Sequence, residues 1–252
     1  MKNLLALWLS LTLALTWPGL PAAAEAGAAA QEHFDQGVAA LQQGKPSVAV
    51  EKFTAALKLD PYLAEAHINR GIAYLRLDQT VDAVTDFDRA LELDPKSPEA
   101  LYNRGLAYSR GGLFAKALED YTQALKYAPK DWEIYYNRGN TYLDLGKSQE
   151  ALADYQQALK LHPDTPEILH NRGLAYLHLG QPEEALEDED QVLELNPNFA
   201  RAQFGRAQAL EKLGQKAGAM VAYRQFLKTG NPESDAALLQ QALAHLRALE
   251  GK

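Results

Sequence analysis

The residue types able to do chemistry are few in this chain and poorly placed for it. The sequence holds 6 histidines, 33 Asp and Glu residues and no cysteine. His170 and His178 stand eight residues apart in one helix-patterned stretch, too far to share a metal ion without further ligands. His33 and His67 fall in a packing slot that elsewhere holds Leu101, Tyr135 and Leu169, so they read as core histidines. No His-Glu-x-x-His, phosphate-binding glycine loop or Gly-x-Ser-x-Gly occurs. Without cysteine, thiol nucleophiles, thiolate metal sites and disulfides are excluded. No catalytic residue, metal site or cofactor is therefore expected, and the chain does not read as an enzyme. The run Glu187-Asp188-Glu189-Asp190 has two readings. It is an acidic site for a cation or basic partner, or a solvated face with Glu189 paired to Arg201 or Arg206.

What recurs is a set of rows 34 residues apart. Asn-Arg-Gly returns at Asn69–Gly71, Asn103–Gly105, Asn137–Gly139 and Asn171–Gly173, and Tyr follows each Gly by three at Tyr74, Tyr108, Tyr142 and Tyr176. Ala returns at Ala83, Ala117, Ala151 and Ala185, and Pro at Pro61, Pro95, Pro129, Pro163 and Pro197. A fixed period of this length indicates stacked helix pairs, each with too little core to stand alone. Within the unit 132–165, Gly139 and Ala151 are small enough to let two antiparallel helices approach. Tyr142, Tyr155 and Ala158 fill the space beside them at helical spacings. Gly146 ends the first helix in the left-handed conformation. Pro163 stops the second, and pushes His162 towards an extended conformation.

These landmarks strongly resemble the tetratricopeptide repeat, from about residue 30 to residue 232. The resemblance implies an all-α, right-handed superhelical solenoid of about six helix pairs. They fall near 30–63, 64–97, 98–131, 132–165, 166–199 and 200–232, with a capping helix and tail over 233–252. The first unit is degenerate, with Gln36 and Ala40 where Arg and Tyr stand later; terminal units meet solvent on one face. The fifth has Glu189 where the others have Phe53, Phe87, Tyr121 and Tyr155. The sixth has Ala207 and Leu210 at the Gly and Tyr places.

In this family the first helix of each pair lines the concave face. The resemblance thus implies a peptide-binding groove lined by Asn69, Asn103, Asn137 and Asn171, by Ile68, Tyr102, Tyr136 and His170, and by Glu99 and Glu133. Adjacent helices pack about 8–10 Å apart, and an extended peptide advances about 3.3 Å per residue. One repeat then matches about three peptide residues, and an amide offers both donor and acceptor to a peptide backbone. The other reading of the Asn row is packing or capping. Some relatives clamp acidic carboxyl termini with Lys three and six places before Gly. Here those places hold Phe34, Ile68, Tyr102, Tyr136 or His170, and Glu65, Glu99, Glu133 or Glu167. A Glu row repels a carboxylate, so that activity is not expected. Arg70, Arg104, Arg138 and Arg172 recur with Asp86, Asp120, Asp154 and Asp188 sixteen residues on. Each Asp can pair within its repeat or with the next repeat's Arg, and both rows read as structural.

Met1 to about Ala24 reads as an export signal. Lys2 supplies the positive start, Leu4 to Leu15 the apolar run, and Ala22-Ala23-Ala24 the cleavage site. A retained membrane anchor is the alternative, but the run reaches only about 20 Å as a helix against a bilayer core of about 30 Å. A periplasmic or thylakoid-lumen protein is expected. The formal net charge of -8 weighs against nucleic acid or anionic lipid as the principal partner. The chain therefore reads as a non-catalytic scaffold for a basic or neutral protein segment, or as an assembly factor for an envelope or photosynthetic membrane complex.

Overall fold

A computed structural model describes residues 20–251; the expected signal lies outside the described residues as far as Gly19. Among the described residues there are thirteen α-helices and no strand. Six hairpins follow one another: α1 (Leu20–Gln42) with α2 (Pro46–Leu59), α3 (Ala64–Arg76) with α4 (Thr80–Leu93), and α5 (Pro98–Arg110) with α6 (Phe114–Tyr127). Then come α7 (Trp132–Asp144) with α8 (Ser148–Leu161), α9 (Pro166–His178) with α10 (Pro182–Leu195), and α11 (Ala200–Lys212) with α12 (Lys216–Thr229). A single helix, α13 (Ala236–Leu249), closes the stack. No described helix is long and apolar enough to cross a membrane.

Local chemistry sets the helix ends. Pro46, Pro98, Pro166 and Pro182 each occupy a first-turn position, where the missing N–H is unneeded. The Ser97 hydroxyl accepts from the Ala100 N–H, and the Asp131 carboxylate from the Glu133 N–H. After α7, Gly146 takes φ 71°, and Lys147 N–H reaches the Tyr142 carbonyl at 2.9 Å. In the second repeat the same place is held by Asp78 at φ 58°, a short polar side chain that tolerates the left-handed region.

The core is a column of alanines and aromatics. Ala83, Ala117, Ala151, Phe87, Tyr121 and Tyr155 are fully buried. The small residues act somewhat differently from expectation. A Cβ on Gly139 would lie 2.8 Å from the Tyr155 ring, and one on Gly71 2.6 Å from the Phe87 ring. Glycine here admits an aromatic ring, and the helices are held apart by that ring. Burial of each such side chain contributes about 1.5–3 kcal/mol. At the end of the stack, Ala242 and Leu246 of α13 cover Tyr223 and Phe226.

Successive first helices touch each other as well as their own partners, whereas successive second helices make no comparable contact among the described residues. That asymmetry puts α3, α5, α7 and α9 on the inside of the curve. Arginine staples fix their spacing: Arg76 donates to the Leu41 carbonyl at 2.8 Å, and Arg110 to the Leu75 carbonyl at 3.0 Å.

Candidate functional site

The Arg and Asp rows are separate from the groove, and each Asp pairs within its own repeat. Arg138 donates through Nε and Nη2 to both oxygens of Asp154 at 2.8 and 2.7 Å, and Arg70, Arg104 and Arg172 do the same to Asp86, Asp120 and Asp188. The guanidinium also reaches back one repeat. Arg70 Nη1 donates to Thr54, Arg104 Nη1 to Asp88 and Arg138 Nη1 to Thr122. Arg206 has Ala222 where an Asp of its own would stand and, among the described residues, pairs only backwards, with Asp190. One side chain thus binds both within and between repeats. Burial alone would raise the Asp86 carboxyl, but hydrogen bonds from Arg70 and His67 outweigh it and hold the group below its usual range. His67 is a core residue as expected, with Nδ1 3.0 Å from Asp86 and Nε2 3.2 Å from the Pro61 carbonyl.

The inner face carries the asparagines, and most of their donors are already used. Asn69, Asn103 and Asn137 each donate Nδ2–H to the carbonyl of Glu65, Glu99 or Glu133, at 2.9, 2.9 and 2.8 Å. Asn137 also donates to the Tyr102 hydroxyl at 3.1 Å, and Asn171 to the Tyr136 hydroxyl at 3.2 Å. The packing reading of the row therefore holds, with the Oδ1 side of each amide left open. Among the described residues, the Oδ1 atoms of Asn69, Asn103, Asn137 and Asn171 accept no hydrogen bond, so every member of the row presents an open acceptor, and Asn69 and Asn103 each keep one amide hydrogen as well.

The tyrosines are half-buried. Tyr102 packs on Tyr121 and Tyr136 on Tyr155, each with ring centroids 6.2 Å apart, while their hydroxyls bridge to the next repeat. Ile68 and His170, placed in the same lining by sequence, are 5% and 8% exposed. A side chain at that place packs between its own two helices, which leaves Tyr102 and Tyr136 as the more accessible members and 10% of the His170 side chain exposed. Glu99 and Glu133 are exposed, and with Pro98, Tyr102, Asn103, Ala128 and Asp131 they line a cleft between the third and fourth repeats. Their carboxylates form no ion pair among the described residues. Burial, and then the neighbouring Glu65, raise the Glu99 carboxyl above its usual range.

Glu189 corrects both sequence readings of the acidic run. It is neither solvated nor paired to Arg201 or Arg206. It is 0% exposed, and His170 Nδ1 lies 2.9 and 3.0 Å from its two oxygens. Arg201 pairs with Asp235. The other acids of the run are divided: Asp188 is buried on Arg172, and Asp190 is exposed enough to meet Arg206. Among the described residues no group of three or more His, Asp or Glu could hold a metal ion.

Sequence reading missed Asn140. Its Oδ1 accepts from Asn171 at 2.9 Å and from the buried Tyr155 hydroxyl at 2.8 Å. The available signal was a polar residue in a row otherwise holding Ile72, Leu106 and Leu174.

Tetratricopeptide repeat descriptions match residues 34–98, 98–131, 120–153, 166–199 and 201–234, and a TPR repeat description matches 139–180. Among solved structures, PilF of Pseudomonas aeruginosa superposes with a TM-score of 0.75 at 20% identity, covering 88% of this chain and 99% of that one. YrrB, described as a TPR protein with an unusual peptide-binding site, gives 0.65 at 23% identity over 76% and 98%. MamA of Desulfovibrio magneticus gives 0.63 at 24% over 68% and 96%. Likeness at these identities speaks for the fold alone. No curated protein sequence matches.

Proposed function

Because the chain belongs to the tetratricopeptide repeat family, whose members are generally non-catalytic protein-interaction scaffolds, we propose that its inner face binds an extended segment of a partner protein. The observation that carries this reading is the row of free asparagine carbonyls. Asn69, Asn103 and Asn137 each have an amide hydrogen committed to a backbone carbonyl of their own helix, so each Oδ1 is held in a fixed direction one repeat from the next. A peptide backbone in extended form offers N–H groups at about 3.3 Å per residue, so one in about three meets an asparagine. Such contacts are indifferent to sequence. Preference comes from the margin, where Glu99 and Glu133 favour neutral or basic segments and disfavour acidic ones.

We further propose that the chain works after export, in the periplasm or an equivalent lumen, with a signal cleaved near Ala24. Amino-terminal sequencing of the mature protein from its native host tests this; an intact Met1 in a membrane fraction rejects it. Binding is tested by crosslinking the full chain in the native envelope and titrating the captured segment calorimetrically. Exchange of Asn103 and Asn137 together for Ala is expected to weaken different segments alike. Tyr136→Ala is expected to cost about 2 kcal/mol of affinity. Glu99→Gln with Glu133→Gln is expected to weaken basic segments only, and less so at high salt. Unchanged affinity in all three folded variants rejects the inner face as the binding surface.

A further inference from the structure

The fifth repeat breaks an interior pattern at a place that borders the groove. In the first, third, fourth and sixth repeats a first-helix aromatic packs on a second-helix aromatic nineteen residues later: Phe34 on Phe53, Tyr102 on Tyr121, Tyr136 on Tyr155 and Phe204 on Tyr223. At the corresponding places the fifth repeat has His170 and Glu189, joined through Nδ1. Glu189 fills the interior against both neighbouring backbones: a Cβ on Gly173 would come within 3.3 Å of its Oε1, and one on Gly205 would collide with its carboxyl group. The hydroxyls of Tyr102 and Tyr136 are each held by an asparagine of the following repeat. For His170 the corresponding residue is Gly205, which has no side chain to offer. Its Nε2 accordingly makes no hydrogen bond among the described residues. Nor is it sealed in, as the unpartnered Nδ1 of His33 is, for 10% of the side chain remains exposed.

The proton count of this pair decides what Nε2 presents. When the pair holds one proton beyond a neutral ring and a carboxylate, there are two arrangements. Either an imidazolium donates Nδ1–H to the carboxylate, or a carboxylic acid donates to Nδ1 of a neutral ring. In both, Nε2 carries a hydrogen. When that proton leaves, Nδ1–H still donates to the carboxylate and Nε2 becomes a bare lone pair. The outcome does not depend on which atom held the proton.

We infer that His170 is a ligand-contacting position of the groove, with Nε2 switching from hydrogen-bond donor to acceptor when the His170–Glu189 pair loses its proton. The inference rests on the groove reading above and adds to it a class of contact. The donor form takes a backbone carbonyl of the bound segment, which complements the open carbonyl oxygens of the asparagine row, and the acceptor form repels it.

The surroundings place the change near neutral pH. Burial raises the Glu189 carboxyl, the hydrogen bond and charge of His170 oppose this, and Asp188 and Asp190 reinforce it, with the net result pushed up to about 7. Arg172 on α9 is bound to Asp188, and Arg206 on α11 is bound to Asp190. Glu167 stands one turn before His170 on α9, Tyr136 lies on the adjacent α7, and the Phe199 ring packs 5.3 Å from the imidazole.

The test has two arms on the full chain. Nitrogen NMR of the imidazole rings, with exposed His178 as reference, is expected to show His170 Nε2 protonated at pH 6 and unprotonated at pH 8.5, with Nδ1 protonated throughout the upper range. Nε2 that stays protonated across this range overturns the inference. In the second arm, peptides are selected on the protein at pH 6 from a phage-displayed random library and their affinities measured at both pH values. A loss of about tenfold is expected at pH 8.5, the size of one hydrogen bond to a charged or strongly polarised group. The double variant His170→Tyr with Glu189→Phe restores the pattern of the other repeats and is expected to fold and bind with no such loss. Peptides that depend on Asn103 and Asn137 yet bind equally at both pH values overturn this inference alone. Peptides indifferent to those asparagines overturn the groove reading, and this inference with it.

Discussion

The fourth and fifth repeats have the same backbone and opposite interiors. In the fourth, the Tyr136 and Tyr155 rings pack at a tilt, and the Tyr155 hydroxyl finds Asn140. In the fifth, the same two places hold an imidazole and a carboxyl group joined to each other. A helix hairpin needs a filled volume there and does not need aromatic character as such. The two solutions differ in what they respond to. An aromatic pair has no proton to lose, whereas a buried carboxyl group is costly when charged and cheap when neutral.

The comparison is broken most severely by emptying one interior. Tyr155→Ala removes a fully buried ring and is expected to cost about 3–5 kcal/mol in urea denaturation. Glu189→Ala leaves a smaller cavity and an imidazole able to stay neutral, so a clearly smaller loss is expected. Equal losses would show that the polar pair is as strongly stabilising as the aromatic one.

Next in size is the response to pH, where two acids of the molecule should act with opposite signs. Glu189 has a folded value raised to about 7, so its contribution is present below the ordinary Glu value of about 4.3 and is lost as pH rises through about 7. Asp86 is held below its ordinary range by Arg70 and His67 against its own burial. Its contribution is present above about 3.9 and is lost as pH falls through the folded value. Hydrogen exchange, corrected for intrinsic rates, is expected to show α9 to α11 losing on the order of 2 kcal/mol of protection between pH 5 and 8, with α3 and α4 unaffected over that range. Glu189→Gln should flatten the profile. A wild-type profile already flat would mean that the carboxyl group is relieved by some other group.

Converting the fifth repeat into the fourth tests the same point from the other side. Replacing a buried pair by apolar groups of fitting volume is commonly neutral or stabilising by about 1–4 kcal/mol. His170→Tyr with Glu189→Phe is therefore expected to raise the urea midpoint modestly. A fall would indicate that Gly205 and Phe199 are shaped for the pair they have.

The helix pairs, the packing alanines, the glycine turns and the proline starts were legible because each follows from one residue type at one spacing. Partner choice among polar groups was not. The Asp row had two geometrically reasonable partners, and only the distances show that Arg70, Arg104, Arg138 and Arg172 serve their own Asp with two nitrogens, the first three reaching the preceding repeat with the third. Glu189 was misread because a run of four acids looks solvated. On a helix, successive residues point about 100° apart, so Glu187, Asp188, Glu189 and Asp190 meet four different surroundings. For the inner-face rows, sequence could not tell that most of the asparagine hydrogens are used internally, or that Ile68 and His170 are largely covered.

The smallest expected effect compares the third and fourth repeats at a single hydroxyl group. Tyr121 and Tyr155 are both fully buried and occupy the same place in their units. The Tyr155 hydroxyl donates to Asn140 Oδ1, but the place of Asn140 in the third repeat belongs to Leu106. The nearby Thr141 hydroxyl donates to the Asn137 carbonyl, and among the described residues Tyr121 Oη is left without a hydrogen-bond partner. Removing a satisfied buried hydroxyl forfeits about 1 kcal/mol, whereas removing an unsatisfied one relieves a desolvation cost of similar size. Tyr155→Phe is thus expected to destabilise by about 1 kcal/mol and Tyr121→Phe to be neutral or stabilising by up to about 1 kcal/mol. Two urea midpoints measured side by side suffice. If both variants lose stability equally, an ordered water is satisfying the Tyr121 hydroxyl, and the two repeats are alike at that position after all.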